Sequence, residues 1–152
     1  MANVLLVDDD PENVWPLALA LEEDGHRVTV LAGAHGAVAF MRREVVQCLI
    51  TDYQMPDIDG IKLCQMVRAN PAFAQLPIVL LSAAPEPDWC PPCWSRFLRK
   101  PVQMSELLDA VDAYVAPRLT GAKFRSLSWH MGGRFQHLAP ARWAPVNTAC
   151  GP

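Results

Sequence analysis

The chain has 152 residues, enough for one globular domain with a sizeable core and short for two. Apolar residues make up 51% and charged residues 19%, which excludes a disordered, strongly charged polymer. The net charge of −3 divides unevenly: residues 1–116 carry 16 acids and 8 bases and residues 117–152 carry 5 bases and no acid, so the acidic body speaks against a DNA-binding surface there.

The predicted elements begin with an apolar run, Val4 to Val7, that ends in Asp8, Asp9 and Asp10. It reads as a buried strand whose carboxyl end opens into a polar site. The leading segment MANVLLVDDD has no basic region before its aspartates, and no run approaches the roughly 20 apolar residues that span a bilayer. A cytoplasmic protein without a membrane span is expected. Asp10 suits a helix N-cap, Pro11 the first helical position and Glu12 the first turn; Val14, Leu17 and Leu21 form the apolar stripe before Gly25. Pro16 should remove one backbone bond and bend the first turns.

Arg27 to Leu31 alternates as a second strand, and Ala34 to Arg43 reads as a short helix. Val45 to Thr51 is a third strand ending at Asp52. Asp57 is expected in a turn and Asp59 as the cap of a helix over Gly60 to Ala69. Leu76 to Leu81 is a fourth strand ending in Ser82, and Arg96 to Arg99 a fifth ending in Lys100. Met104, Leu107, Leu108, Val111 and Val115 then trace one face of a last helix.

Strands alternating with helices at this pitch indicate an α/β fold, a doubly wound parallel sheet of five strands, because parallel neighbours need crossover connections. Sites in such sheets form at the carboxyl ends of strands, near the switch in strand order. Asp8, Asp9, Asp52, Ser82 and Lys100 all fall there. A carboxylate that accepts a phosphoryl group needs a divalent cation, a donor for phosphoryl oxygens and a cationic partner. The three aspartates offer hard oxygens suited to Mg²⁺, Ser82 a hydroxyl proton and Lys100 a compact charge. Singly, each has a plainer reading as a cap, turn or surface residue; their joint placement does not.

The segments VLLVDDD, LITDYQMPDIDG, PIVLLSA and FLRKP resemble the strand-end motifs of the bacterial response-regulator receiver family, a CheY-like, flavodoxin-like fold. The resemblance covers about residues 3–116, leaving residues 117–152 as a basic tail with no recognisable effector domain. It implies that Asp52 is the phosphoacceptor, that Asp8, Asp9 and Asp52 hold Mg²⁺ with the Gln54 backbone carbonyl, and that Ser82 and Lys100 bind the phosphoryl group. Phe97 would be the switch aromatic, though as a sequence it reads equally well as a core residue of the fifth strand. In this family the Lys-Pro bond is often cis, and Lys100-Pro101 is the candidate. The function implied is that of a single-domain response regulator in a two-component phosphorelay. It would be phosphorylated by a sensor histidine kinase or histidine phosphotransfer protein and catalyse only its own phosphotransfer and dephosphorylation. A downstream protein partner is expected, membrane and nucleic acid are not, and a homodimer is compatible.

The chain departs from the family between Ser82 and Lys100, where AAPEPDWCPPCWSRFLR holds four prolines in place of the usual fourth helix. Each proline would cost a helix interior about 3 kcal/mol, so that helix is expected to be missing or reduced to a turn. Cys90-Pro-Pro-Cys93 has the spacing of redox and zinc motifs but lacks a second pair, and His130, His137 and Cys150 could complete a site only if the tail folds back. A proline-stiffened loop anchored by Trp89 and Trp94 is the plainer reading, and the odd total of five cysteines does not describe a disulfide framework. Lys123, Arg125, Arg134 and Arg142 among Phe124, Trp129, Phe135 and Trp143 resemble a binding segment in composition alone.

Two rival functions bear on the same residues. Asp8 and Asp10 form the D-x-D of a haloacid-dehalogenase-like phosphatase, with Asp8 as nucleophile, but Pro11, Glu12 and the helical Asp109 and Asp112 do not fit that pattern. A receiver scaffold that binds partners without phosphorylation would suit the altered region before Lys100, and the full set of site residues counts against it.

Overall fold

Four or five residues from each apolar run pair into a single sheet, and their alternation assigns them to two cores. The computed structural model describes residues 1–88 and 91–115, which lie in a unit spanning Met1–Ala116. Trp89, Cys90 and the basic tail with its histidines and Cys150 lie outside the described residues. The strands are β1 (Asn3–Val7), β2 (Arg27–Leu31), β3 (Cys48–Asp52), β4 (Ile78–Ser82) and β5 (Arg96–Arg99). All are parallel, in the order β2-β1-β3-β4-β5. The helices are α1 (Pro11–Glu23), α2 (Ala37–Arg43), α3 (Gly60–Arg68) and α4 (Met104–Val115).

On one face Val4, Leu6, Ile50, Val79 and Leu81 pack with Leu17 and Leu21 of α1 and Leu107, Ala110 and Val111 of α4. On the other, Leu5, Val7, Leu49, Ile78 and Leu80 pack with Met41 of α2 and Leu63, Cys64 and Val67 of α3. Neighbouring strand residues point to opposite faces, so β1, β3 and β4 are apolar throughout. The result is a three-layer sandwich. Among the described residues no helix is long and apolar enough to cross a membrane.

The expected caps form. The Asp10 carboxylate accepts from the Glu12 amide at 2.9 Å at the start of α1, and Asp59 accepts from the Lys62 amide at 2.8 Å at the start of α3. Pro16 lies inside α1, which continues past it to Glu23. Ala34–Gly36 forms a 3₁₀ turn before α2, dividing the single helix expected there.

Two strands start later than the apolar pattern predicts. β3 begins at Cys48 because its partner β1 runs out: the Gln47 amide donates to Asn3 O at 2.8 Å, the paired register starts at Val4 and Cys48, and Val45 is 74% exposed. β4 begins at Ile78 because Pro77 has no amide to give the ladder, although its carbonyl accepts from the Leu49 amide at 2.9 Å. Between β4 and β5 no helix forms among the described residues, as the prolines require. Trp94 from this connection is buried in the α2/α3 core, with Cys93 and Phe97 packed beside it.

Candidate functional site

The chain passes from β2 through α2 to the far side of β1, so strand order switches between β1 and β3 and their carboxyl ends diverge into a crevice. Asp8 follows β1 and is buried; its Oδ1 accepts from the Asp10 amide at 2.9 Å, which fixes the carboxylate. Asp9 is exposed, and Asp52, the last residue of β3, is buried. One oxygen from each of Asp8, Asp9 and Asp52 lies within 4.8 Å of the others. Asp10 stands apart, because its carboxylate serves the Glu12 amide and Asn13 Nδ2 as the α1 cap. The D-x-D reading therefore loses its second acid.

Lys100 reaches this cluster from the far end of β5. Its Nζ lies 2.6 Å from Asp52 Oδ1 and 3.3 Å from Asp8 Oδ2. The Lys100 amide donates to Ser82 O at 2.8 Å, tying the end of β4 to the lysine, and the Lys100-Pro101 bond is cis as expected. Ser82 is fully buried and its Oγ accepts from the Ala84 amide at 3.0 Å, leaving the hydroxyl proton to donate. Phe97 is half-buried and packs against the core, a placement compatible with both of its readings.

Burial pushes the Asp52 carboxyl above the usual carboxylate range; the Asp8 charge adds to the rise, while the Lys100 ammonium and the Gln54 amide oppose it. Burial also pulls the Lys100 ammonium down, but Asp52 and Asp8 together outweigh it and hold its pKa above the ordinary lysine value. Three carboxylates against one ammonium leave two formal negative charges in a small oxygen-lined crevice. That donor set fits a hard divalent cation such as Mg²⁺.

Two contributors were not foreseen from the sequence. The Gln54 amide hydrogen-bonds the Asp52 carboxylate. Gly60 is a second: a Cβ there would collide with the Asp52 carbonyl oxygen and stand 2.9 Å from Tyr53 Cα, so the loop bearing Asp52 closes on α3 only with glycine at this position. The D-x-x-M-P-x-x-D-G pattern contained that signal, though not its steric reason.

Residues 4–112 match the response regulator receiver domain family. The chain belongs to that family. This receiver domain is 38% identical over 116 residues, 74% of its length, to an uncharacterized 14.6 kDa protein in the sodA1 3′ region of Leptolyngbya boryana, covering 88% of that protein. It is 30% identical over 112 residues to protein RcaC of Microchaete diplosiphon, of which the matched segment is only 17%, so the domain also occurs within much longer chains. Among solved structures it resembles the receiver domain of sensor histidine kinase PA1611 from Pseudomonas aeruginosa, with a TM-score of 0.69 and 26% identity over 76% of this chain and 98% of that one. That structure has a magnesium ion coordinated in its active-site cleft. The fold is thus the CheY-like receiver fold, a signalling domain of two-component systems with its fourth family helix absent among the described residues.

Proposed function

We propose that this protein is a single-domain response regulator that takes a phosphoryl group on Asp52 in a Mg²⁺-dependent reaction. The observation that carries the reading is the convergence of Lys100 Nζ, 2.6 Å from Asp52 Oδ1, with the Asp8 and Asp9 carboxylates around a single crevice. Receivers accept the group from the phosphohistidine of a kinase or phosphotransfer protein. An Asp52 carboxylate oxygen forms the new O–P bond, the P–N bond breaks, and the leaving imidazole keeps the electron pair.

Asp8, Asp9, Asp52 and the Gln54 carbonyl would hold the cation, which supplies counter-charge to the phosphoryl oxygens. Lys100 already engages Oδ1, which leaves Oδ2 to attack phosphorus. Once the group is on Asp52, Ser82 donates to one phosphoryl oxygen and Lys100 pairs with another, each gaining a charge-assisted contact available only in that state. Because Ser82 and Lys100 bracket the β4–β5 connection, their movement is passed to that loop and to Phe97. The receiver body is taken as residues 1–116 and its place as the cytoplasm.

Incubation with acetyl phosphate and Mg²⁺ followed by peptide mass mapping tests the assignment. Phosphate is expected on Asp52 alone, lost in Asp52→Asn, with Mg²⁺ affinity reduced in Asp9→Ala. Modification of Asp8 instead would revive the phosphatase reading.

A further inference from the structure

A second constellation lies at the amino end of the sheet, opposite Asp52. His26 immediately precedes β2, Asp24 is the C-cap residue of α1, and Asp112 stands in the last turn of α4. His26 Nε2 is 3.3 Å from Asp24 Oδ2 and 3.4 Å from Asp112 Oδ1. The imidazole is 3% exposed, yet neither ring nitrogen makes a hydrogen bond. Buried polar side chains almost always find such a partner, so a buried ring pointed at two carboxylates without bonding either needs an explanation.

The separations supply one. Two ligands on a tetrahedral zinc-class ion, with bonds of about 2.0–2.2 Å, stand about 3.3–3.5 Å apart, whereas octahedral neighbours at these bond lengths stand closer, at about 3.0 Å. Both measured Nε2–oxygen distances fall in the tetrahedral interval. One donor atom from each of the three residues lies within 4.8 Å of the others, so a small side-chain adjustment brings all three onto a single ion. Asp112 is 60% exposed, which opens the outer side of the cluster to an entering ion and to a water as fourth ligand.

We propose that Asp24, His26 and Asp112 bind one divalent transition-metal cation of the zinc class. The imidazole selects against Mg²⁺, which prefers oxygen ligands and near-octahedral geometry, so this site and the Asp52 crevice discriminate between cations. Ligation is through Nε2, the ring nitrogen that faces both carboxylates. The bound ion clasps the end of α1 to the end of α4, joining two helices that otherwise meet through apolar side chains.

Co²⁺ titration of the full-length, chelator-treated protein tests this, in a Cys90→Ser/Cys93→Ser background that removes the paired thiols. Visible ligand-field absorption of tetrahedral strength, without a near-ultraviolet thiolate band, is expected to saturate at one equivalent and to be displaced by Zn²⁺. Asp112→Asn, at an exposed position that leaves folding intact, should weaken binding by about tenfold or more. His26→Gln should abolish it, and Asp52→Asn should leave it unchanged. An absent tetrahedral signal, or one indifferent to Asp112→Asn, overturns the proposal and leaves His26 as an ion-paired structural residue.

Discussion

The connection from β3 to β4 carries the nine-residue helix α3, whereas the connection from β4 to β5 has no helix among its described residues, yet both join parallel neighbours in one sheet. α3 covers the sheet with a stripe of Ile61, Leu63, Cys64 and Val67 and satisfies its own backbone internally. Among its described residues, the β4–β5 connection covers it chiefly with Trp94, which is 5% exposed and whose Nε1 donates to Glu86 Oε1 at 2.8 Å, with Cys93 packed against the same core. Its backbone is secured from outside: the Ser95 amide donates to Ile78 O at 2.7 Å, and Tyr114 Oη of α4 donates to Ser95 O at 2.8 Å. Ser95 Oγ in turn accepts from the Ile78 amide at 3.1 Å. A crossover therefore needs apolar cover and satisfied polar groups, and a helix is one way of supplying both.

Removing the main cover should break the equivalence most. Trp94→Ala is expected to cost about 3–5 kcal/mol, as for other buried aromatic truncations, read as a lower denaturant midpoint. A loss comparable to an exposed-site substitution would show that the loop does not close the core. On the helical side, Gly60→Ala forces α3 away from the Asp52 carbonyl and should cost about 1–3 kcal/mol. It should also slow phosphorylation from acetyl phosphate, which Trp94→Ala is not expected to do to the same degree. Glu86→Gln keeps an acceptor for Trp94 Nε1 but removes its charge, so a loss of only about 0.5–1 kcal/mol is expected from the same unfolding curves.

The mildest perturbation is chemical. The two connections place a thiol each at their junction, Cys64 on α3 and Cys93 on the loop, both free. A hydrogen bond from the Cys64 thiol, outweighing burial, lowers Cys93 to about 7, while the same contact and burial push Cys64 up. Cys93 should then alkylate faster as pH rises through about 7, with Cys64 inert in the folded protein. Mass mapping of iodoacetamide adducts in Cys90→Ser across pH 6–9 checks it; equal rates at the two thiols would erase the distinction between the connections.

Much of this was legible in the sequence because it is local. The Asp10 and Asp59 caps, the strand ends at Asp8, Asp52, Ser82 and Lys100, and the lack of a helix among the described residues of the proline segment each depend on a few adjacent residues. Strand starts were less so: β3 and β4 begin where a neighbour can pair with them, and Val45 and Leu76 are apolar without having one. What the sequence could not reveal is long-range. Nothing near Trp94 marks it as a core residue, and no spacing joins His26 to Asp112, which meet only because α1 and α4 share a face.

The strand order also gives the sheet two unlike edges. β5 is four residues long and begins and ends in arginine, so a strand added beside it would have little ladder to extend and cationic side chains to accommodate. β2, at the other edge, is RVTVL, rich in β-branched residues, with Val30 42% exposed. Of the two edges, Arg27–Leu31 is therefore the one better suited to pair with an added strand, and among the residues of that strand Arg27 is its one charged guard.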